Sequence, residues 1–125
     1  MITISSPIYV NLKNKKYALN LNVYRNLNYH VLNDLKKEYS KIIKPKLKNI
    51  KFESPIILSF VLHFGRRSRV DRDNICSIVS KFFLDCLVNE NCLEDDSDRY
   101  ILKSCFSSGE IDAKNPRCDI TISTH

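Results

Sequence analysis

Asp71-Arg72-Asp73-Asn74 sets two carboxylates one residue apart, and Glu94-Asp95-Asp96 adds more about twenty residues on. If the first segment is extended, alternation of side chains puts Asp71 and Asp73 on the same side. An apolar-periodic helix from Ile75 to about Leu87 separates the two groups. As a rigid spacer, it is expected to bring a hairpin carrying Asp95 and Asp96 back beside Asp71 and Asp73. Clustered carboxylates repel one another unless a cation neutralises them, and hard, oxygen-ligated Mg²⁺ or Mn²⁺ suits such a set. In a basic protein, the chemistry expected of that set is phosphodiester hydrolysis.

The charge is unevenly spread. Net charge is +6, yet residues 1–53 carry 11 basic and 3 acidic groups, whereas residues 71–125 carry 6 basic and 11 acidic ones. Arg66, Arg67 and Arg69 lie between. A basic half joined to a short acidic half fits a polyanion binder with a metal pocket, although a lysine-rich solvated surface gives the same balance. The DNA-contacting candidates are Lys13, Lys15, Lys16, Arg25, Arg66, Arg67 and Arg69. The loop from Arg66 to Arg69 is foremost because it directly precedes Asp71. Lys36, Lys37, Lys41 and Lys44 read as the solvated face of a helix, and Tyr24 and Tyr29 as core packing or as platforms for opened bases.

Cysteine usage points to a reducing compartment. Cys76, Cys86, Cys92, Cys105 and Cys118 are odd in number and include no C-x-x-C pair. With only three histidines, a zinc site is not expected, and reduced core thiols are. The N-terminal segment lacks the basic and apolar blocks of a signal peptide, and no run reaches the roughly 18 apolar residues of a membrane span. A cytoplasmic location and no membrane association are therefore expected.

The 125 residues suit one domain spanning 1–125. Strands are expected over 2–12, broken near Pro7, and over 17–21 after a turn at 13–16, with a loop at 20–28. A helix should start near Asn28 to Asn33 and run through Leu35, Tyr39, Ile42 and Ile43 until Pro45 stops it. Pro55–Phe64 is the strongest strand and reads as central. Asp73 is a candidate N-cap for the Ile75–Leu87 helix, and Arg99–Phe106 and Arg117–Thr124 complete the strands. The class is α+β: a mixed sheet of four or five strands with two helices packed on it.

The runs Val70-Asp71-Arg72-Asp73-Asn74-Ile75, Leu84-Asp85-Cys86-Leu87 and Leu93-Glu94-Asp95-Asp96 together resemble the RusA family of Holliday junction resolvases. That family's pattern opens on Asp-x-Asp-Asn, closes its helix on Asp-x-Leu and adds Asp-Asp a few residues later. Order and spacing match across roughly residues 55–105. Leu19–Asn26 more loosely resembles the family's Asn/Tyr/Arg loop. The resemblance implies a small homodimeric, Mg²⁺-dependent endonuclease that cuts four-way DNA junctions in recombination and repair, in a bacterium or a phage-infected cell. Asp71, Asp73 and Asp96 would be its metal-binding carboxylates, with Asp95 an auxiliary ligand. One position departs: Ser77 stands where the family has its catalytic lysine. Lys81, one turn further along the same helix face, is the candidate to replace it. The alternative is a weakened protein of this fold that binds branched DNA, or a protein partner, without cutting. Taken singly, Asp73 also reads as a cap, Asp71 as half of a surface ion pair, Asp95 and Asp96 as a solvated turn, and Asp85 and His63 as structural.

Overall fold

Ile56, Leu58, Phe60 and Leu62 are buried and alternate with half-exposed Ile57, Ser59, Val61 and His63. Such strict period-two burial belongs to a strand with one face on a core. The computed structural model describes residues 1–67 and 69–124, and the side chains of Arg69 and Val70 lie outside that description. The chain runs β1 (Ile2–Ser6), β2 (Tyr9–Leu12), β3 (Lys15–Ala18), α1 (Leu21–Asn26), α2 (Tyr29–Ile43), a 3-10 turn (Lys44–Leu47), β4 (Ile56–His63), α3 (Arg69–Asn89), β5 (Ile101–Ser108) and β6 (Arg117–Thr124). The main sheet has the order β1-β6-β4-β5. β4 pairs with β5 in parallel, and β6 pairs antiparallel with both β1 and β4. β2 and β3 form a separate hairpin whose two-residue turn, Lys13-Asn14, has both φ angles positive, as a primed hairpin turn requires.

Helices cover one face of the sheet. From α3, Ile75, Ile78, Val79, Phe82, Phe83 and Leu87 are buried; Leu35, Tyr39 and Ile43 of α2 join them. Edge-to-face ring pairs lock the layers: Tyr39 on Phe82, and Phe60 on both Phe83 and Phe106. The Tyr39 hydroxyl shares a 2.8 Å hydrogen bond with Ser6 Oγ, so the buried polar pair linking α2 to β1 is satisfied.

The α+β class and the central strand are as the sequence leads one to expect. Several details differ. The described residues form three α-helices, not two: Asn20 caps α1 by accepting from the Val23 N–H at 2.8 Å, so the asparagine-rich segment is helical where a loop is expected. The hairpin turn is shorter than 13–16, which starts β3 at Lys15. One parallel crossover, β4–α3–β5, sits within the otherwise antiparallel sheet. The largest correction concerns α3, which begins at Arg69 and so takes in Asp71 and Asp73. Asp73 is therefore inside the helix and does not cap it, and neither aspartate is on an extended segment.

Candidate nucleic-acid interface

The start of α3 decides where the first carboxylates point. Successive helical residues turn by about 100°, so positions two apart face nearly opposite ways. Asp71 is the more enclosed, with 29% of its side chain exposed, and Arg66 Nη2 lies 3.5 Å from its Oδ2. Asp73 is 65% exposed and pairs with Arg72 through a 3.1 Å contact from Nε to Oδ1. Asp71 also has a structural reason to be there: a carboxylate in the first turn of a long helix opposes the positive end of the helix dipole.

The length of α3 separates the second acidic group. Its 21 residues, at 1.5 Å each, span about 30 Å. Asp71 lies where β4 ends, whereas Asp95 and Asp96 follow the far end of the helix and precede the start of β5. Among the described residues no three Asp, Glu, His or Cys side chains gather closely enough to hold a metal ion. The expected convergence of Asp71, Asp73, Asp95 and Asp96 is thus not found within one chain, and this set does not fit Mg²⁺ or Mn²⁺ there. Asp95 is engaged in its own turn, accepting from the Ser97 N–H at 2.6 Å, and its bonds to Ser97 hold its carboxyl below the ordinary range. Glu94 accepts a hydrogen bond from the Tyr100 hydroxyl. Asp85 faces Lys36 at 4.0 Å, joining α3 to α2.

The positions proposed for a catalytic cation are also occupied otherwise. Ser77 Oγ donates to the Asn74 carbonyl one turn back, at 3.2 Å. Lys81 places its ammonium 6.0 Å from the centre of the Tyr24 ring, over α1.

What the structure does assemble is an arginine-lined groove. Arg66, Arg67 and Arg72 border a space of about 1020 Å³ together with Phe64, Ser108, Gly109, Glu110 and Ile111, where β4 and β5 end. Arg66 also stacks over Phe64, 5.7 Å from the ring centre. Arg72 is a lining residue that charge counting alone did not single out. Arg69 joins this region in sequence, but its side chain lies outside the described residues.

A polar network braces one wall of the groove. His63 Nδ1 lies 2.9 Å from the Glu110 carbonyl and its Nε2 lies 3.4 Å from Asp119 Oδ2. Arg117 reaches Asp119 through Nε at 3.2 Å and Asp112 through Nη1 at 2.9 Å. A hydrogen bond from the Asn115 backbone, followed by Arg117, holds the Asp112 carboxyl below its ordinary range. Gly109 lies so close to His63 that a methyl at its Cα would collide with the imidazole and with Val61. The sequence shows no spacing that joins His63, Asp112, Arg117 and Asp119; only the register of β4 against β6 does, with His63 opposite Arg117.

The remaining basic candidates form other patches. Lys13 borders a shallower space with Lys37 and Lys41, tempered by Asp34 and Glu38. Lys15 and Lys16 lie over the rings of Tyr17 and Tyr9, and Arg25 is exposed in the last turn of α1. No helix of the described residues is long and apolar enough to cross a membrane. Compared with known proteins, the chain matches no family model and no curated protein.

Proposed function

We propose that this protein binds branched DNA, gripping closely spaced phosphates through the groove of Arg66, Arg67 and Arg72. The groove itself carries the reading. Three guanidiniums, with Glu110 as the acidic lining residue, stand at one end of a rigid sheet, and guanidiniums bind phosphate oxygens bidentately. The basic first half of the chain extends the attraction beyond the groove. The sequence resemblance to junction resolvases points to four-way junctions as the substrate, and their two-fold symmetry to a homodimer. An intracellular setting belongs to the same proposal: the DNA is there, and the five free cysteines suit a reducing compartment.

Cleavage of the bound DNA is the second reading, favoured by the position of Asp71 beside Arg66 at the groove's edge. It requires carboxylates beyond those that one chain brings there.

Gel-shift titration with a four-way junction and with a linear duplex of the same sequences, followed by incubation with Mg²⁺, tests both readings. Tighter binding to the junction is expected, weakened by Arg67→Ala. Equal, weak affinity for both DNAs would overturn the proposal. Cleavage abolished by Asp73→Asn with binding retained would establish the second reading. The amide removes the charge from an exposed position inside a helix, so folding is expected to survive.

A further inference from the structure

The groove of Arg66, Arg67 and Arg72 has a wall and a floor that a track for phosphates alone does not call for. Its wall is the segment after β5. The Gly109 N–H donates to the Leu62 carbonyl at 2.8 Å, and the Asp112 N–H to the Phe64 carbonyl at 2.9 Å. Two steps along β4 are thus matched by three along the wall, an extra residue of the kind that makes a strand bulge and re-aims its side chains. Glu110 and Ile111, between those two bonds, line the groove. The wall is fixed there: His63 bonds the Glu110 carbonyl at 2.9 Å, and Gly109 has no side chain to hold it off the His63 ring.

The chemistry of the lining is mixed. Ile111 is 49% exposed, and half-buried Phe64 lies beneath the Arg66 guanidinium, whose carbon is 5.7 Å from the ring centre. One exposed isoleucine means little by itself. Beside an aromatic ring and three guanidiniums, in a space of about 1020 Å³, it gives an apolar surface inside a cationic rim. A phosphate backbone has no π-face to lay on that surface, and Glu110 repels it. A base out of its stack has both a π-face and, along its edge, N–H donors that a carboxylate accepts.

We infer that the groove seats one unpaired base of the bound DNA, its face against Phe64 and Ile111, its edge donating to Glu110, and its flanking phosphates on the arginines. This rests on the DNA-binding reading above and names what the groove holds besides phosphate. A base that is already unpaired costs least to take from the stack, so the groove favours interrupted over continuous duplexes.

Fluorescence anisotropy at fixed salt with three linear duplexes of one sequence is the test: fully paired, with one unpaired thymine nucleotide, and with one unpaired abasic residue in its place. The two bulged duplexes carry the same phosphates, so only the base separates them. The thymine bulge should bind about tenfold more tightly than the abasic bulge, a gain within reach of one base stacked on an aromatic ring. Ile111→Ser and, separately, Phe64→Leu should each reduce that ratio to about twofold or less, with every arginine retained. Ile111 is exposed, so Ile111→Ser decides the matter even if Phe64→Leu loosens the core. Tyr29→Ser, at an exposed ring that does not line the groove, should leave the ratio unchanged. Equal affinity for the two bulged duplexes would overturn the inference and leave the proposed function standing, since that is judged by the four-way junction against the paired duplex. A ratio that survives Ile111→Ser, or that falls with Tyr29→Ser in its place, would overturn it too, because the base would then be seated elsewhere.

Discussion

Asp71 and Asp73 show how much depends on the backbone beneath a motif. Two carboxylates one residue apart converge on a strand and diverge on a helix, and here the helix begins at Arg69. The identities were legible in the sequence, and so was the nearness of the adjoining arginines: Arg66 lies 3.5 Å from Asp71. The start of α3 was not, because Arg69 to Asn74 carries no apolar periodicity to extend the pattern of Ile75, Ile78, Val79, Phe82 and Phe83 backwards. The cysteines were easier to read. Their scatter indicated core thiols, and four of the five are buried. Burial pushes the Cys86 thiol up to about 11, and it raises Cys92 as well. Cys118 donates to Cys76, which favours the thiolate of Cys76 but leaves both sulfurs enclosed. Under native conditions near pH 8, a thiol reagent such as 5,5′-dithiobis(2-nitrobenzoate) should therefore label one cysteine quickly. Peptide mapping should identify it as Cys105, with all five reacting only after denaturation. Rapid labelling of Cys86 or Cys92 in folded protein would contradict this account of the core.

At the scale of elements, the central strand and the later helices were legible because burial follows period. β4 alternates, α2 buries Leu35, Tyr39 and Ile43 at helical spacing, and Pro45 closes that helix into a 3-10 turn. α1 leaves little trace in the sequence because no residue of its six is buried; its signal is the Asn20 cap alone. The wall around His63, Asp112, Arg117 and Asp119 was equally hidden, since it exists only through strand register. The second asparagine cap is a clean test of how local chemistry sets these boundaries. Asn28 Oδ1 accepts from the His30 N–H at 2.7 Å at the exposed start of α2. Asn28→Ala should lower unfolding stability by about 1 kcal/mol, and Asn28→Ser by much less, because serine also caps. Urea denaturation of the three proteins measures both. Equal stability of the alanine and wild-type proteins would show that α2 is positioned by its buried face alone.

For the whole molecule, the distribution of charge matters more than its sum. The arginine groove and the acidic loop preceding β5 lie at opposite ends of the layer formed by β4, α3 and β5, separated by the length of α3. If the proposed function holds, such a dipolar molecule would meet a polyanion in one orientation, groove first, with the acidic end turned away. Binding of this kind releases counterions, so the logarithm of the association constant should fall linearly with the logarithm of salt concentration, by about 0.9 for each phosphate neutralised on duplex DNA. Arg67 is the most direct probe. It is exposed and lines the groove, whereas Arg66 and Arg72 are each shared with an aspartate. Arg67→Ala should weaken junction binding at low salt and reduce the slope by about 1, with little effect on unfolding. Lys114→Ala, at an exposed position that does not line the groove, should leave the slope unchanged. Fluorescence anisotropy across a salt series resolves these outcomes. If the two variants changed the slope equally, the attraction would be spread over the surface and the groove would not be the phosphate track.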